Sequence, residues 1–462
     1  MTDVIHIDET VTKKFSLLVT TLASFLSPFG LSSVNVALPS IGKEFQMDAI
    51  LLSWVTTAYL LATSAFLVPI GRTADMYGRK RILAYGLLIF TLASAGCALS
   101  NSTPMLLGLR VLQGIGAAAV YPVAAAIVTS VFPSRELGRV FGINLTAVYT
   151  GYSVGPFLGG FLTQHLGWRS IFFVNILLGS TILVLILWKL KGEWLERGAK
   201  KFDLPGSIIY CVALLLIIYG FAHLSTMLGV WIFLSGVLGI LAFVKWETKI
   251  ESPLLNLNLF KNNRVFALSN LATLTIHCAT FAVTFLLSLY LQYIKKLTPE
   301  SAGLVLLSQP VIQALFSPFA GRLSDRIEPR IVASIGMALT VGGLILLAFL
   351  TEKTTLGFTA TALGVLGLGY AFFSSPNANA VMSSVEGRFY GVASGTLSTM
   401  RMMGMAFSMG ITVLIFSIYI GQVQITPEYY PAFMRCQKLG FTFFAVLCFG
   451  GLFASLARGK VR

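Results

Sequence analysis

Charge is what this chain has least of. Asp, Glu, Lys and Arg together make up 11% of its residues, where a soluble globular domain carries about a quarter. Hydrophobic residues reach 56% and mean hydropathy is +0.82, so too little polar side chain exists to cover a water-facing surface. A soluble enzyme is excluded on that ground. Cysteine is also sparse. The five present (Cys97, Cys211, Cys278, Cys436, Cys448) are scattered and form neither a disulfide framework nor a metal-ligand spacing. The four histidines (His6, His165, His223, His277) lie far apart, which argues against a lipid-modifying membrane enzyme. No phosphate-cradling G-x-x-x-x-G-K-[ST] loop occurs, so ATP-driven transport by this chain alone is not expected. No long polar loop or tail is available for a signalling role, which argues against a transporter-like receptor. No cofactor and no metal are implied, and the chain does not read as an enzyme.

What is present is long apolar runs. A membrane-spanning helix needs roughly 20 predominantly apolar residues. Fourteen segments qualify, near 15–39, 50–70, 82–100, 105–131, 139–163, 168–190, 205–224, 227–246, 266–292, 301–322, 331–350, 356–382, 390–420 and 438–457. The first run is too long for a cleavable signal and lacks an A-x-A-like site. The net charge of +15 does not indicate nucleic-acid binding, because Lys and Arg sit in short gaps between the apolar runs and not on one polar face. Their distribution sets an orientation instead. With a cytoplasmic N-terminus, seven of the 33 basic residues fall outside (Lys43, Arg169, Lys295, Lys296, Lys353, Arg435, Lys438). Two lie inside spans (Arg110, Arg401) and the other 24 are cytoplasmic. The expectation is a multi-pass protein of the cell (inner or cytoplasmic) membrane with both termini cytoplasmic.

An internal repeat is visible. Gly71-Arg-Thr-Ala-Asp75 follows the second segment and Gly321-Arg-Leu-Ser-Asp325 follows the tenth. Parallel repeats with a site between the halves are a transporter architecture. The domain reading is a tail (1–14), a first six-helix bundle (15–190), linkers and an inserted helix pair (191–265), a second six-helix bundle (266–457) and a tail (458–462).

The motifs sharpen this. The loop Gly71–Arg81, with Asp75, Gly78 and Arg79, Leu109-Arg110-Val-Leu-Gln113-Gly114, and Gly151-Tyr-Ser-Val-Gly155-Pro156-Phe-Leu-Gly159-Gly160 stand in order on successive segments. Together they resemble the signatures of the major facilitator superfamily, most closely its fourteen-helix drug:proton antiporter branch. Asn35-Val-Ala-Leu-Pro39, Ser53-Trp54 with Tyr59, Phe202-Asp203-Leu-Pro205 and Ala393-Ser-Gly395 with Arg401 extend the likeness over nearly the whole chain. The resemblance implies an all-α membrane protein of two six-helix bundles plus an inserted pair, fourteen transmembrane helices in all. It implies alternating access, with export of small amphipathic compounds driven by protons, as in multidrug efflux. Its partners are the lipid bilayer, a small-molecule substrate and protons, and a monomer is expected. Transport of a specific anionic or neutral metabolite is the alternative.

Each motif also has a physical reading. Gly71, Gly78 and Gly321 permit tight loops. Asp75 and Asp325 can face the positive N-terminus of a neighbouring helix. Gly151, Gly155 and Gly159 recur every fourth residue, so a neighbouring helix can approach closely, and Pro156 bends that helix. These residues, with Arg79 and Arg110, are the gating candidates.

The acids are informative by their positions. All 18 fall in loops, tails or helix ends. The related antiporters commonly carry an acid just ahead of the Asn-Val-Ala-Leu-Pro motif, and here Gly30 stands there. What titrates at depth is His277. Asn270, Thr273, His277, Thr284 and Ser288 share one helix face, which should front a cavity. Asn35, Tyr59, Tyr149, Tyr152, Gln309, Gln313, Asn377 and Arg401 are further candidates for the cavity wall. An embedded arginine without an embedded acid makes an anionic or neutral substrate at least as natural as a cation.

Overall fold

The computed structural model describes residues 9–190, 192–195, 202–250, 254, 257–386 and 389–459. Within these the regular structure is helical. The first half is α1 (Glu9–Phe45), α2 (Ala49–Tyr77), α3 (Arg79–Ala98), α4 (Thr103–Val131), α5 (Ser134–Leu166) and α6 (Arg169–Trp188). A hairpin follows, α7 (Leu204–Ala222) and α8 (Met227–Glu247). The second half is α9 (Leu257–Asn262), α10 (Arg264–Leu289), α11 (Pro299–Leu306), α12 (Ser308–Arg326), α13 (Pro329–Ala348), α14 (Leu356–Ser383), α15 (Tyr390–Tyr419) and α16 (Tyr430–Ala457).

Among the described residues, thirteen spans are long and apolar enough to cross a membrane. The 33-residue α5 makes the fourteenth; Asn144, Thr146, Thr150 and Ser153 and its glycines lower its apolarity. The predicted segment 301–322 is broken at Leu307 into α11 and α12. Pro310 has no N–H to return to the Leu306 carbonyl, so the hydrogen-bond ladder fails there. The helix at the chain start runs from Glu9, several residues earlier than the apolar pattern predicts. Backbone propensity carries a helix past the point where apolarity stops.

The two halves repeat one packing scheme. In the first, α1 packs on α5 and α6, and α4 on α2 and α3. In the second, α10 packs on α15 and α16, and α14 on α12 and α13. Glycine allows the same close crossing in both. A Cβ on Gly116 would lie 2.7 Å from the Gly86 carbonyl oxygen, and one on Gly336 would lie 2.7 Å from that of Gly369. The halves meet along α5 against α11 and α2 against α15, a matched pair of crossings. The hairpin lies outside, with α7 against α2 and α15. Only 17% of the most apolar stretch of α8 is buried, against 83% for α10. An apolar surface that no protein covers must be covered by lipid, so α8 is peripheral and α10 central.

Candidate functional site: a cavity between the two halves

The interface between the halves is shut at the end carrying the α1–α2 turn. Beyond α10 the chain makes one wide π turn over Tyr290–Ile294, and Gln292 Nε2 there donates to the Val36 carbonyl of α1 at 2.9 Å. Gly160 and Gly303 let the backbones of α5 and α11 touch: Cβ atoms there would lie 2.3 Å from Pro299 O and 2.4 Å from Pro156 O. His165 Nε2 lies 3.1 Å from Glu300 Oε2. Ala49 N donates to Val423 O at 3.0 Å, and Gln424 Nε2 to Gln46 O at 3.1 Å.

From the opposite end a cavity of about 530 Å³ rises between α4, α5, α14 and α15. Gly138, Gly142 and Ser383 line it and are exposed. Tyr121, Asn144 and Arg401 line it deeper in. A second chamber of about 80 Å³ includes Arg401 in its wall and reaches towards the closed end. The first half contributes Ser32, Asn35, Tyr149, Tyr152 and Pro156 to it; the second contributes His277, Thr280, Gln309, Gln313 and Tyr370.

Seven of the ten residues read from sequence as cavity candidates therefore share one chamber: Asn35, Tyr149, Tyr152, His277, Gln309, Gln313 and Arg401. Asn35 Oδ1 accepts from Thr56 Oγ1 at 2.7 Å. Tyr152 Oη donates to Met405 Sδ at 3.5 Å across the halves. His277 Nδ1 lies 2.8 Å from the Thr273 carbonyl. A carbonyl only accepts, so Nδ1 carries hydrogen and Nε2 of the neutral ring is the acceptor. The ring stands edge-on to Tyr370 at 5.8 Å.

The other three lie elsewhere. Tyr59 sits inside the first half, bonded to Ser27 at 2.6 Å. Asn270 donates to the Phe266 carbonyl of its own helix. Asn377 donates to Thr273 Oγ1 at 2.8 Å and accepts from Arg458 Nη1 at 2.6 Å.

The gating candidates divide likewise. Gly151, Gly155 and Gly159 face α1, where Cβ atoms would lie 2.6 Å from Phe25 O, 1.9 Å from Ser32 Oγ and 2.7 Å from Ser33 Cα. Asp75 pairs with Arg79 at 2.7 Å, one turn on, and the Arg79 guanidinium also reaches Ala126 O and Ser130 at the end of α4. Gly78 takes φ +116, where Glu193 caps Lys80 N at 2.8 Å. This loop is thus tied within its own half. Gly71 lies against Pro122 and Gly321 near Ser375. The side chain of Asp325 lies outside the described residues. Arg110 is wholly buried. It donates to Val55 O and Gln113 Oε1 and lies 4.5 Å from the Tyr59 ring centre, so it does not snorkel to the surface.

Several residues escaped the sequence reading. Arg458, read as the start of a tail, is fully buried and donates to Ser269 Oγ, Asn377 Oδ1 and Pro329 O. Burial lowers its pKa to about 10. Arg458→Ala should cost about 3 kcal/mol, because it leaves three buried acceptors unmet; a thermal melt of the purified protein tests this, and an unchanged Tm refutes it. Tyr370 was legible in principle, since it stands seven residues before Asn377 on one face of α14. Asn175 was not. Its amide is buried without a hydrogen-bond partner, and a Cβ at Gly30 would meet it at 2.9 Å. The place where related antiporters carry an acid is filled from α6.

The family model described as Major Facilitator Superfamily matches residues 20–243 and 269–460. The chain belongs to the major facilitator superfamily. Its relatives include riboflavin transporter RibZ of Clostridioides difficile, 29% identical over 94% of this chain and 95% of the relative. Multidrug resistance protein Stp of Mycobacterium tuberculosis is 33% identical over 85% of this chain and 74% of the relative. Among solved structures, a peptide transporter in complex with alafosfalin superimposes with a TM-score of 0.70 at 15% identity, over 96% and 95% of the two chains. A bacterial homologue of the human lysosomal transporter Spinster, in an inward-facing unoccupied conformation, gives 0.67 at 16% identity over 97% of each. The protein is a multi-pass membrane transporter of this superfamily acting on small molecules, not an enzyme. Within it, the Gly71–Arg81 loop clamps a helix turn, and the Gly151–Gly160 run lets α5 lie against α1 and α11.

Proposed function

We propose that the protein is a secondary active transporter that exports small amphipathic compounds in exchange for protons by alternating access. The observation that carries this reading is one cavity between two similarly packed halves, reaching the α2–α3 end and closed at the α1–α2 end. Lys and Arg concentrate in the loops of the α2–α3 end, which supports a cytoplasmic position for it and an inward-open state. The units that rock are taken as residues 15–190 and 266–457. Relatives named for multidrug resistance and for riboflavin support amphipathic, often aromatic cargo, and the Gly151–Gly160 resemblance supports export.

The test is reconstitution in liposomes with an imposed pH gradient and a panel of cationic, neutral and anionic amphiphiles. Proton flux evoked by a subset of them is expected. A gradient that no compound dissipates sinks the coupled-exchange reading.

His277 is the histidine in the wall of the chamber and supports a role in coupling. His277→Gln should lower gradient-driven transport by about tenfold, measured at steps between about pH 6 and 8. Wild-type rates across that range would remove His277 from coupling.

A further inference from the structure

Three arginines are buried in the described part of the protein, and two of them donate to protein acceptors, although Arg110 Nη2 and Arg458 Nε are themselves unmet. Arg110 donates to Val55 O and Gln113 Oε1. Arg458 donates to Ser269, Asn377 and Pro329. Arg401 is different. It is 7% exposed, lines both the main cavity and the deeper chamber, and its Nε has no hydrogen-bond partner. No carboxylate among the described residues pairs with it, since all 18 acids lie in loops, tails or helix ends. Its electrostatic neighbours are the Tyr121, Tyr152 and Tyr370 hydroxyls and His277.

An unpaired cation at this depth is costly. A ligand that brings the missing acceptor relieves that cost. A guanidinium best meets a planar anion with two oxygens, through paired charge-assisted hydrogen bonds. The tyrosines around it offer flat apolar area and polar tips, and the cavity of about 530 Å³ has the size of a drug-binding pocket. We infer that Arg401 anchors an anion site, and that the ligands of this cavity are aromatic carboxylates and comparable organic anions. Binding stands on the geometry alone; that the bound anion is also carried rests on the transporter reading.

The test uses the full chain in lipid nanodiscs and three matched probes: a naphthalene carboxylate, the corresponding carboxamide and the corresponding trimethylammonium. The wild type should bind the carboxylate about tenfold more tightly than the carboxamide, with the ammonium weakest. Arg401→Gln should bring carboxylate and carboxamide within about twofold, while Arg401→Lys keeps the order at reduced affinity. Equal affinities in the wild type, or an ammonium that binds best, overturn the site without recourse to any variant. So does an Arg401→Gln protein of wild-type elution and Tm that keeps its full preference. Flux assays separate the two claims. Carboxylate binding without flux of any probe retains the site and defeats transport; flux of the ammonium alone retains transport and defeats the site.

Discussion

Gly303→Leu should turn the transporter over, favouring the state open at the α1–α2 end. In the present state a Cβ on Gly303 would lie 2.4 Å from the Pro156 carbonyl oxygen and 3.2 Å from Phe157 Cα. Both are backbone atoms of the other half, so no rotamer change relieves the contact. Overpacking of this kind costs about 1–3 kcal/mol, and the cost falls on the state in which α5 and α11 touch. An equilibrium between two states then moves by about fivefold to more than a hundredfold. Spin labels at Gln46 and Gln424, both exposed at the closed end, should move apart. Labels at Arg139 and Ser383, exposed at the open end, should approach. Transport should fall at least about tenfold, because a carrier held in one state does not cycle. Gly342→Leu, where an added Cβ meets nothing within 4 Å, is the control. Distance distributions that match the wild type would show that the α5–α11 contact is not the seal.

Gly159→Leu should act on the fold itself. The Cβ would lie 2.7 Å from both Ser33 Cα and Ser33 O of α1, within the first half, where no rearrangement between states offers escape. Forcing α1 and α5 apart also strips the hydroxyl contacts of Thr20 and Thr21 with Asn144 and the Ser32 bond to Gly151 O at 3.2 Å. A loss of about 3 kcal/mol or more is expected, seen as a large drop in monodisperse protein and in Tm. A Cβ added at Gly142 on the same helix meets nothing within 4 Å, and Gly142→Leu should be tolerated. Equal Tm for the two variants would mean that the glycine face is not what holds α1 on α5.

The two glycine runs separate two jobs that one motif combines. Gly151, Gly155 and Gly159 lie against α1 within a half, whereas Gly160, next in sequence, meets Pro299 of the other half. A helix repeats every 3.6 residues, so consecutive glycines point about 100° apart. The i, i+4 spacing predicts one close contact. It does not say which neighbour supplies it, nor that a second helix is met by the adjoining residue.

Much of the cavity was legible because polar residues within an apolar run are expensive in lipid and must face something polar. Asn35, Tyr149, Tyr152, His277, Gln309, Gln313 and Arg401 are such residues, and the chamber has all of them in its wall. The rule fails where the polar neighbour is another helix. Asn377 and Arg458 bond each other at 2.6 Å, and Tyr59 is covered by Arg110 at 4.5 Å, and none of them lines the cavity or the chamber. Sequence spacing distinguishes lipid from interior; it does not distinguish a cavity wall from a packed polar core, because both remove the group from lipid equally well.

The sequence by itself determined that this protein lives in a membrane, that it crosses it with about fourteen helices, and that no acid lies in the middle of a span. Those follow from composition and one-dimensional periodicity, which act locally. Tertiary structure alone decided that α11 and α5 seal one end, that Arg458 is buried, that Asn175 fills the space beside Gly30, and that Arg401 is the buried arginine left open to a cavity. Each of those depends on which helices become neighbours and at what register. That choice is made by packing between residues as many as 378 positions apart, such as Gln46 and Gln424, and no local pattern encodes it.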